Sequence, residues 1–328
     1  MLPAAVVFGI AAVQLSAESP LDKIAKHNAV WRRRVGNSAH GWIMDKDIDT
    51  SIFGYGMTRA PYSFRSKLVV DEGSDPIAHD LISWLGLQTQ ATAPIQYLEI
   101  GVSVLKCIST QVHAWRGATI TAFDVEDPNP TQAKRWGEPN ELKSWTLSGL
   151  RAAESYKRPD GKTVHPSTFL EHDKILNWPS SADTHENDIY YVASDATNAT
   201  GWHELALAHK AKGKPPFNLV LSDGLHTAGA LAFELRHMQK QGFLAHSAEG
   251  PVSVIWDDCD HALQRTVSSG VASVAAALGR KDLCFVRFNI LGWAGVNEKP
   301  HPTCLLTSIK PSRLEKVLPK NATCVPVE

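Results

Sequence analysis

The chain is short of surplus charge: 33 Lys and Arg stand against 34 Asp and Glu in 328 residues, for a net charge of −1. That balance removes the broad basic footprint by which proteins hold nucleic acid or an anionic bilayer. The one short basic run, Arg32-Arg33-Arg34, reads as a solvated helix face. Cysteine is scarce too. Cys107, Cys259, Cys284, Cys304 and Cys324 are widely spaced with no CxxC pair, which excludes a zinc knuckle or a dithiol redox motif. An odd count argues against a full disulfide framework. Cys107, Cys259, Cys284 and Cys304 lie in apolar runs and read as small core residues; Cys324 is left as free or paired. The Walker A, G-x-S-x-G and HExxH patterns are missing, which removes the simplest signatures of nucleotide, serine-hydrolase and zinc-protease chemistry.

Long apolar runs are confined to the N-terminus. "MLPAAVVFGIAAVQLSAES" has the length of a signal peptide and ends in small residues, but no basic residue precedes it, and it is short for a membrane span. Asn198-Ala-Thr200 and Asn321-Ala-Thr323 are glycosylation sequons, a number that chance alone supplies in a chain of this length. Secretory and cytoplasmic locations both stay open. No later segment is apolar enough to span a bilayer.

What is present is an ordinary globular composition, 43% hydrophobic and 20% charged. The pattern divides the chain into a leader (1–18), an N-terminal cap region (19–92), a main domain (93–310) with an insertion at 125–188, and a tail (311–328). "SPLDKIAKHNAVWRRRV" predicts a helix capped at Ser19 with Pro20 at its first position. "FGYGMTRAPYSF" (53–64) is an aperiodic loop. "SDPIAHDLISWLG" predicts a second helix, capped at Ser74 or Asp75, burying Ile77, Leu81 and Trp84 or Leu85, and stopping at Gly86.

From residue 95 short apolar runs alternate with amphipathic ones: "IQYLEIG", "ATITAFD", "IYYVASD", "FNLVLSDG" and "VSVIWDD". Continuous apolar runs of this length suit strands buried on both faces of a parallel sheet. The stripes Ala228, Leu231, Leu235, Met238 and Val267, Val271, Val274, Leu278 have helical spacing. The alternation predicts an α/β fold with a doubly wound, mostly parallel Rossmann-like sheet. "LCFVRFNI" and "PTCLLTSI" have no helix between them and should close one side as an antiparallel pair. In the insertion, "PNELKSWTLSGLRAAESY" can be a helix, and Trp136, Trp145 and Trp178 can stack on a planar substrate or pack the insertion down.

Ligands of open α/β sheets bind outside the carboxyl ends of the strands. Five strands here end in carboxylates: Glu99, Asp124, Asp195, Asp223 and the pair Asp257-Asp258. Asp is a common cap and turn former, but five in series suggest a row able to hold ribose hydroxyls, an ammonium or adenine amino group, or a hard metal ion. In order and spacing these ends resemble the class I S-adenosylmethionine-dependent methyltransferases over residues 75–310, and among them the branch with DG-x-H and DD strand ends that includes small-molecule O-methyltransferases. "EIGVSVL" stands where the family has E/D-x-G-x-G-x-G, "TAFD", "SDA", "SDGLH" and "IWDD" at the later ends.

The resemblance implies that Glu99, Gly101, Ser103, Asp124, Asp195, Ala196 and Asp223 contact S-adenosylmethionine, with Asp124 at the ribose and Asp195-Ala196 at the adenine. It implies Mg²⁺ at Asp223, Asp257 and Asp258, as in some members; three carboxylates suit that ion, which would acidify an acceptor hydroxyl. Helix capping is the ordinary alternative for the acidic pair. The departures are Ser103 and Leu105 at the second and third glycine positions, and Leu225 where metal-using relatives place an acidic base. Leu105 either turns into the core along Leu105, Ile108 and Val112 or weakens cofactor binding. His226, near neutral in its unperturbed pKa, is the candidate catalytic base beside Asp223, or a structural histidine. Asp260-His261 is a weaker candidate, with capping by Asp260 its ordinary explanation. A nicotinamide dehydrogenase shares the opening layout, but the later strand ends argue against it. The expectation is a methyltransferase acting on a small molecule at a hydroxyl oxygen by in-line transfer, with a homo-oligomer left open. A non-catalytic scaffold of the same fold is the alternative that Leu105 and Leu225 favour.

Overall fold

The computed structural model describes residues 18–36, 76–102, 105–124, 134–142, 156–157, 163–164, 175–211, 213–246, 249–291 and 300–327. Along the chain, α1 (Pro20–Gly36) and α2 (Ala78–Gln90) precede β1 (Gln96–Ile100), α3 (Lys106–Ala114) and β2 (Thr119–Asp124). The insertion contributes β3 (Asn140–Leu142), β4 (Tyr156–Lys157), β5 (Thr163–Val164) and β6 (Ile175–Trp178). Then come β7 (Asp188–Ala193), α4 (Ala199–Ala211), β8 (Leu219–Ser222), α5 (Ala228–Lys240), β9 (Ser253–Trp256) and α6 (His261–Ala277). The chain closes with β10 (Cys284–Leu291), β11 (Pro300–Thr307), α7 (Pro311–Leu314) and β12 (Val325–Pro326).

The main sheet runs in the order β12-β10-β11-β9-β8-β1-β2-β7-β6-β3, with β4 and β5 forming a separate ribbon. β7, β2, β1, β8 and β9 are mutually parallel, and β10 and β11 form the expected antiparallel pair beside β9. The fold is therefore the doubly wound, mostly parallel α/β sheet that the strand pattern predicts. Side chains alternate between its faces. Tyr97, Ile120 and Tyr191 join the core with Leu81, Leu85 and Ile108 of α2 and α3, while Leu98, Ile100 and Phe123 join that with Trp202, Leu235 and Val271 of α4 to α6.

α1 starts as expected, with a reciprocal cap: Ser19 Oγ accepts the Asp22 N–H, and Asp22 Oδ2 accepts the Ser19 N–H, each at 3.1 Å. α2 is capped from within, the Asp80 carboxylate accepting the Ile77 N–H at 3.0 Å; Ser74 and Asp75 lie outside the described residues. Gly86 does not stop this helix, which runs on to Gln90. A Cβ on Gly86 would lie 2.4 Å from the indole of buried Trp115, whose Nε1 donates to the Ser83 carbonyl at 3.1 Å. The glycine is there to let a tryptophan lie against the helix backbone.

Two further expectations change. Asn140–Leu142 form a strand, pairing with β6; an open sheet edge supplies hydrogen-bond partners that local helix propensity does not count. Residues 143–155 of that expected helix lie outside the described residues, as do the 53–64 loop and the Arg32–Arg34 side chains, while its last residue, Tyr156, stands in β4; Trp145 is among the residues not described. Trp136 and Trp178 are buried and meet edge to face at 5.4 Å, so they pack the insertion onto the sheet. The cysteines are corrected as well. Cys259 bonds Cys304 and Cys284 bonds Cys324; only Cys107 is a free, buried thiol. Sequence separations of 45 and 40 residues hide pairs that the β9-β11-β10-β12 order brings together. The second bridge and β12 also bind the tail to the sheet.

Replacing Gly86 by Ala tests the Trp115 contact. Alanine favours a helix by about 1 kcal/mol, yet overpacking should win and lower stability by ~1–3 kcal/mol. The denaturation midpoint should fall at unchanged m value; a stabilised variant would show that Trp115 moves aside freely.

Candidate cofactor and acceptor site

The chain leaves β1 toward β2 and β7 on one side and returns to β8 and β9 on the other. The carboxyl ends of β1 and β8 therefore flank the switch point, where such sheets bind ligands. The first residue beyond β1 is Gly101, at φ +79°. Its N–H donates to the Phe123 carbonyl at 2.9 Å, and the Asp223 N–H donates to the Ile100 carbonyl at 2.8 Å. A Cβ on Gly101 would sit 2.3 Å from the Asp223 carbonyl oxygen. Both its backbone conformation and its neighbours require glycine.

The turn then leans on the end of β2, the Val102 N–H donating to Asp124 Oδ2. Ser103 lies outside the described residues. Leu105 is 0% exposed and packs in one core with Ile108 and Val112. It nonetheless keeps φ at +65°, a left-handed conformation that costs a non-glycine residue about 1–2 kcal/mol. Apolar burial holds the leucine in that conformation.

Glu99 is enclosed, 1% exposed, on the α2–α3 face. Its Oε2 accepts the Tyr97 hydroxyl at 2.7 Å, and that hydroxyl lies 3.6 Å from Cys107 Sγ. The chain of polar groups continues through Gln111 to Ser83, Asn28 and Asp80, reaching α1. Burial pushes the Glu99 carboxyl up to about 8, against the hydrogen bond from Tyr97 that favours the anion. At neutral pH Glu99 is a carboxylic acid supporting the turn.

On the β7 side, Asp195 Oδ1 accepts both the N–H and the hydroxyl of Thr197 at 2.7 Å. Burial raises its pKa. The Ala196 carbonyl accepts the Trp202 indole N–H at 2.7 Å. Asp124 and Asp195 thus end neighbouring strands, both carboxylates largely buried.

On the β8 side, His226 Nε2 lies 3.4 Å from Asp223 Oδ1. Burial pushes Asp223 up to about 7. Burial alone would lower His226, but the Asp223 carboxylate beside it, helped by Asp258 and Asp257, carries it up to about 9. The pair therefore holds a proton on the imidazole at neutral pH. Glu234, which the sequence reading missed, lies beneath this turn. It is 1% exposed on α5, and its Oε2 accepts the Ser222 hydroxyl at 2.6 Å. Burial pushes it up to about 7. An acid one residue before Leu235, inside the stripe from Leu231 to Met238, was the available signal.

Asp257 is buried and its N–H donates to the Ser222 carbonyl at 3.1 Å, whereas Asp258 is exposed at φ +48°. Asp260 caps α6, its Oδ1 accepting the Leu263 N–H at 2.9 Å; the His261 side chain lies outside the described residues. Among the described residues, no group of three or more His, Cys, Asp or Glu side chains is arranged to hold a metal ion. Mg²⁺ at Asp223, Asp257 and Asp258 thus gains no support from the geometry. Nor, among them, is any helix long and apolar enough to cross a membrane.

The parallel set with its closing antiparallel pair is the sheet that the class I methyltransferase resemblance implies. No protein-family model and no curated protein sequence matches the chain. Among solved structures it is similar to the O-methyltransferase TomG from Streptomyces achromogenes in complex with SAM, at 12% identity over 86% of this chain and 97% of that one, TM-score 0.35. An O-methyltransferase from Bacillus cereus in complex with SAH shares 8% identity over 86% and 99%, TM-score 0.36. The plantazolicin methyltransferase BpumL in complex with SAH shares 9% over 87% and 98%, TM-score 0.37.

Two titrations check this electrostatic picture. Between the ordinary glutamate value of 4.5 and about 8, folded Glu99 keeps a proton that the unfolded chain has lost. Its contribution is full below 4.5 and lost as pH rises through 8. The stability of wild type relative to Glu99→Gln should fall over that window, and a constant difference would mean an ordinary carboxylate. Separately, the His226 imidazole should titrate near 9 by proton NMR and drop toward its ordinary value in Asp223→Asn.

Proposed function

We propose that the protein is an S-adenosylmethionine-dependent methyltransferase acting on a small molecule at a hydroxyl oxygen. The observation that carries the reading is the Gly101 turn at the switch point, packed against the Asp223 backbone, with Asp124 and Asp195 on one side and the Asp223–His226 pair on the other. A cofactor with a ribose, an adenine and an ammonium group fits the donor set. Asp124 and Asp195 are carboxylates suited to hydroxyl and amino hydrogens. The turn from Gly101 to Ser103 would border the cofactor, Asp124 would bind the ribose, Asp195 and Ala196 would border the adenine, and Glu99 would hold the turn from behind.

S-adenosylmethionine would supply a methyl group already activated for displacement. The residues of the chain then have two tasks, to align the acceptor and to manage its proton. Asp223 and His226 stand where an acceptor hydroxyl would be held. Because the imidazole carries the proton of that pair at neutral pH, His226 orients the acceptor there and becomes a base as pH rises toward its own value. Asp258 and Asp257 supply negative charge beside it, and Glu234 lies beneath the turn through its bond to Ser222.

Titration calorimetry with S-adenosylhomocysteine tests the reading. Micromolar binding by the wild type should be lost in Asp124→Ala and in Asp195→Ala, with their circular dichroism and melting temperature close to wild type. A folded wild-type protein that binds nothing would overturn the proposal and leave a scaffold of the same fold.

A further inference from the structure

The two glycosylation sequons do not occupy equivalent places. Asn321 stands at the tip of a turn: the Ala322 N–H donates to the Pro319 carbonyl at 2.8 Å, which leaves Lys320 and Asn321 as the two central residues. Asn321 and Thr323, the two residues that define the sequon, are both exposed. The next residue, Cys324, is bonded to Cys284. Asn198 is half-buried, and its side-chain carbonyl accepts the Thr200 N–H at 3.0 Å at the start of α4. It lies three residues past Asp195, whose carbonyl accepts the Asn198 N–H at 3.0 Å. A glycan on Asn198 would crowd the β7 strand end; one on Asn321 would project into solvent.

The disulfides supply a second, independent observation. Four of the five cysteines are paired, and each bridge ties parts of the antiparallel flank together. Structural disulfides form and persist in oxidising compartments and are rare in the cytosol. In eukaryotic cells the oxidising lumen is also where sequons meet the glycan donor.

We propose that Asn321 is an N-glycosylation site and that the protein matures in an oxidising secretory compartment. The donor is a lipid-diphosphate-linked oligosaccharide. Asn321 Nδ2 forms a bond to the anomeric carbon, the bond from that carbon to the diphosphate oxygen breaks, the lipid diphosphate leaves with the electron pair, and the amide gives up one proton. Thr323 supplies the hydroxyl that the sequon requires. Asn198 stays unmodified. None of this depends on the methyltransferase reading.

The test is cell-free translation of the full chain with endoplasmic-reticulum microsomes, followed by gel mobility with and without endoglycosidase. One endoglycosidase-sensitive increment is expected in the wild type and in Asn198→Gln, and none in Asn321→Gln or in Thr323→Ala, which keeps the asparagine and removes the hydroxyl. An unmodified wild type would overturn the proposal. So would an increment that survives both tail variants, disappears only in Asn198→Gln, or is doubled in the wild type.

Discussion

The site is organised around a near-contact of two backbones. Gly101 at the end of β1 and Asp223-Gly224 at the end of β8 approach so closely that no side chain fits between them at position 101. The two hydrogen bonds that flank this contact, from Gly101 to Phe123 and from Asp223 to Ile100, tie the turn to β2 on one side and to β8 on the other. The chain reverses its direction of travel across the sheet at this point, the place where ligands of such sheets bind. Asp124 ends β2, and Asp195 and Asp223 follow β7 and β8, on either side of it, whereas Glu99 is enclosed behind the turn.

The turn after β1 is held in shape mainly by apolar packing, with carboxyl groups as supports. Leu105 replaces conformational freedom with burial: its left-handed backbone is unfavourable by itself, and the surrounding core of Ile108 and Val112 offsets it. Behind the turn, the Glu99–Tyr97–Cys107 cluster passes through Gln111 and Ser83 to Asn28 of α1. The N-terminal helix is thereby joined to the wall of the site by hydrogen bonds, as well as by the contacts of Leu21 with the core. Buried carboxyl groups that stay protonated can act as such supports without the cost of an enclosed charge.

The other flank uses covalent bonds. Cys259 follows the Asp257-Asp258 turn directly and is bridged to β11, so the acidic pair is anchored from both its strand and its disulfide. The Cys284–Cys324 bridge does the same for the C-terminal residues, which pair with β10 as a short edge strand. β12 thus covers the Cys284-Phe285 end of β10 and is held there covalently.

The sequence alone determined the parallel strands, the antiparallel closing pair, the cap at Ser19 and the row of acidic strand ends, because each follows from local periodicity and turn chemistry. It also led to His226 beside Asp223, whose spacing in the turn is short. What it left undecided depends on residues far apart in the chain. Gly86 reads as a helix stop until Trp115 is seen lying against it. Asn140–Leu142 read as helix until β6 presents an edge. The cysteine pairs are separated by 45 and 40 residues and meet only through the strand order. Glu234 looks like one polar position on an amphipathic helix until α5 turns it beneath the Asp223 loop. Whether Leu105 was a defect or a core residue was likewise open, since its burial is decided by the helices that close over it.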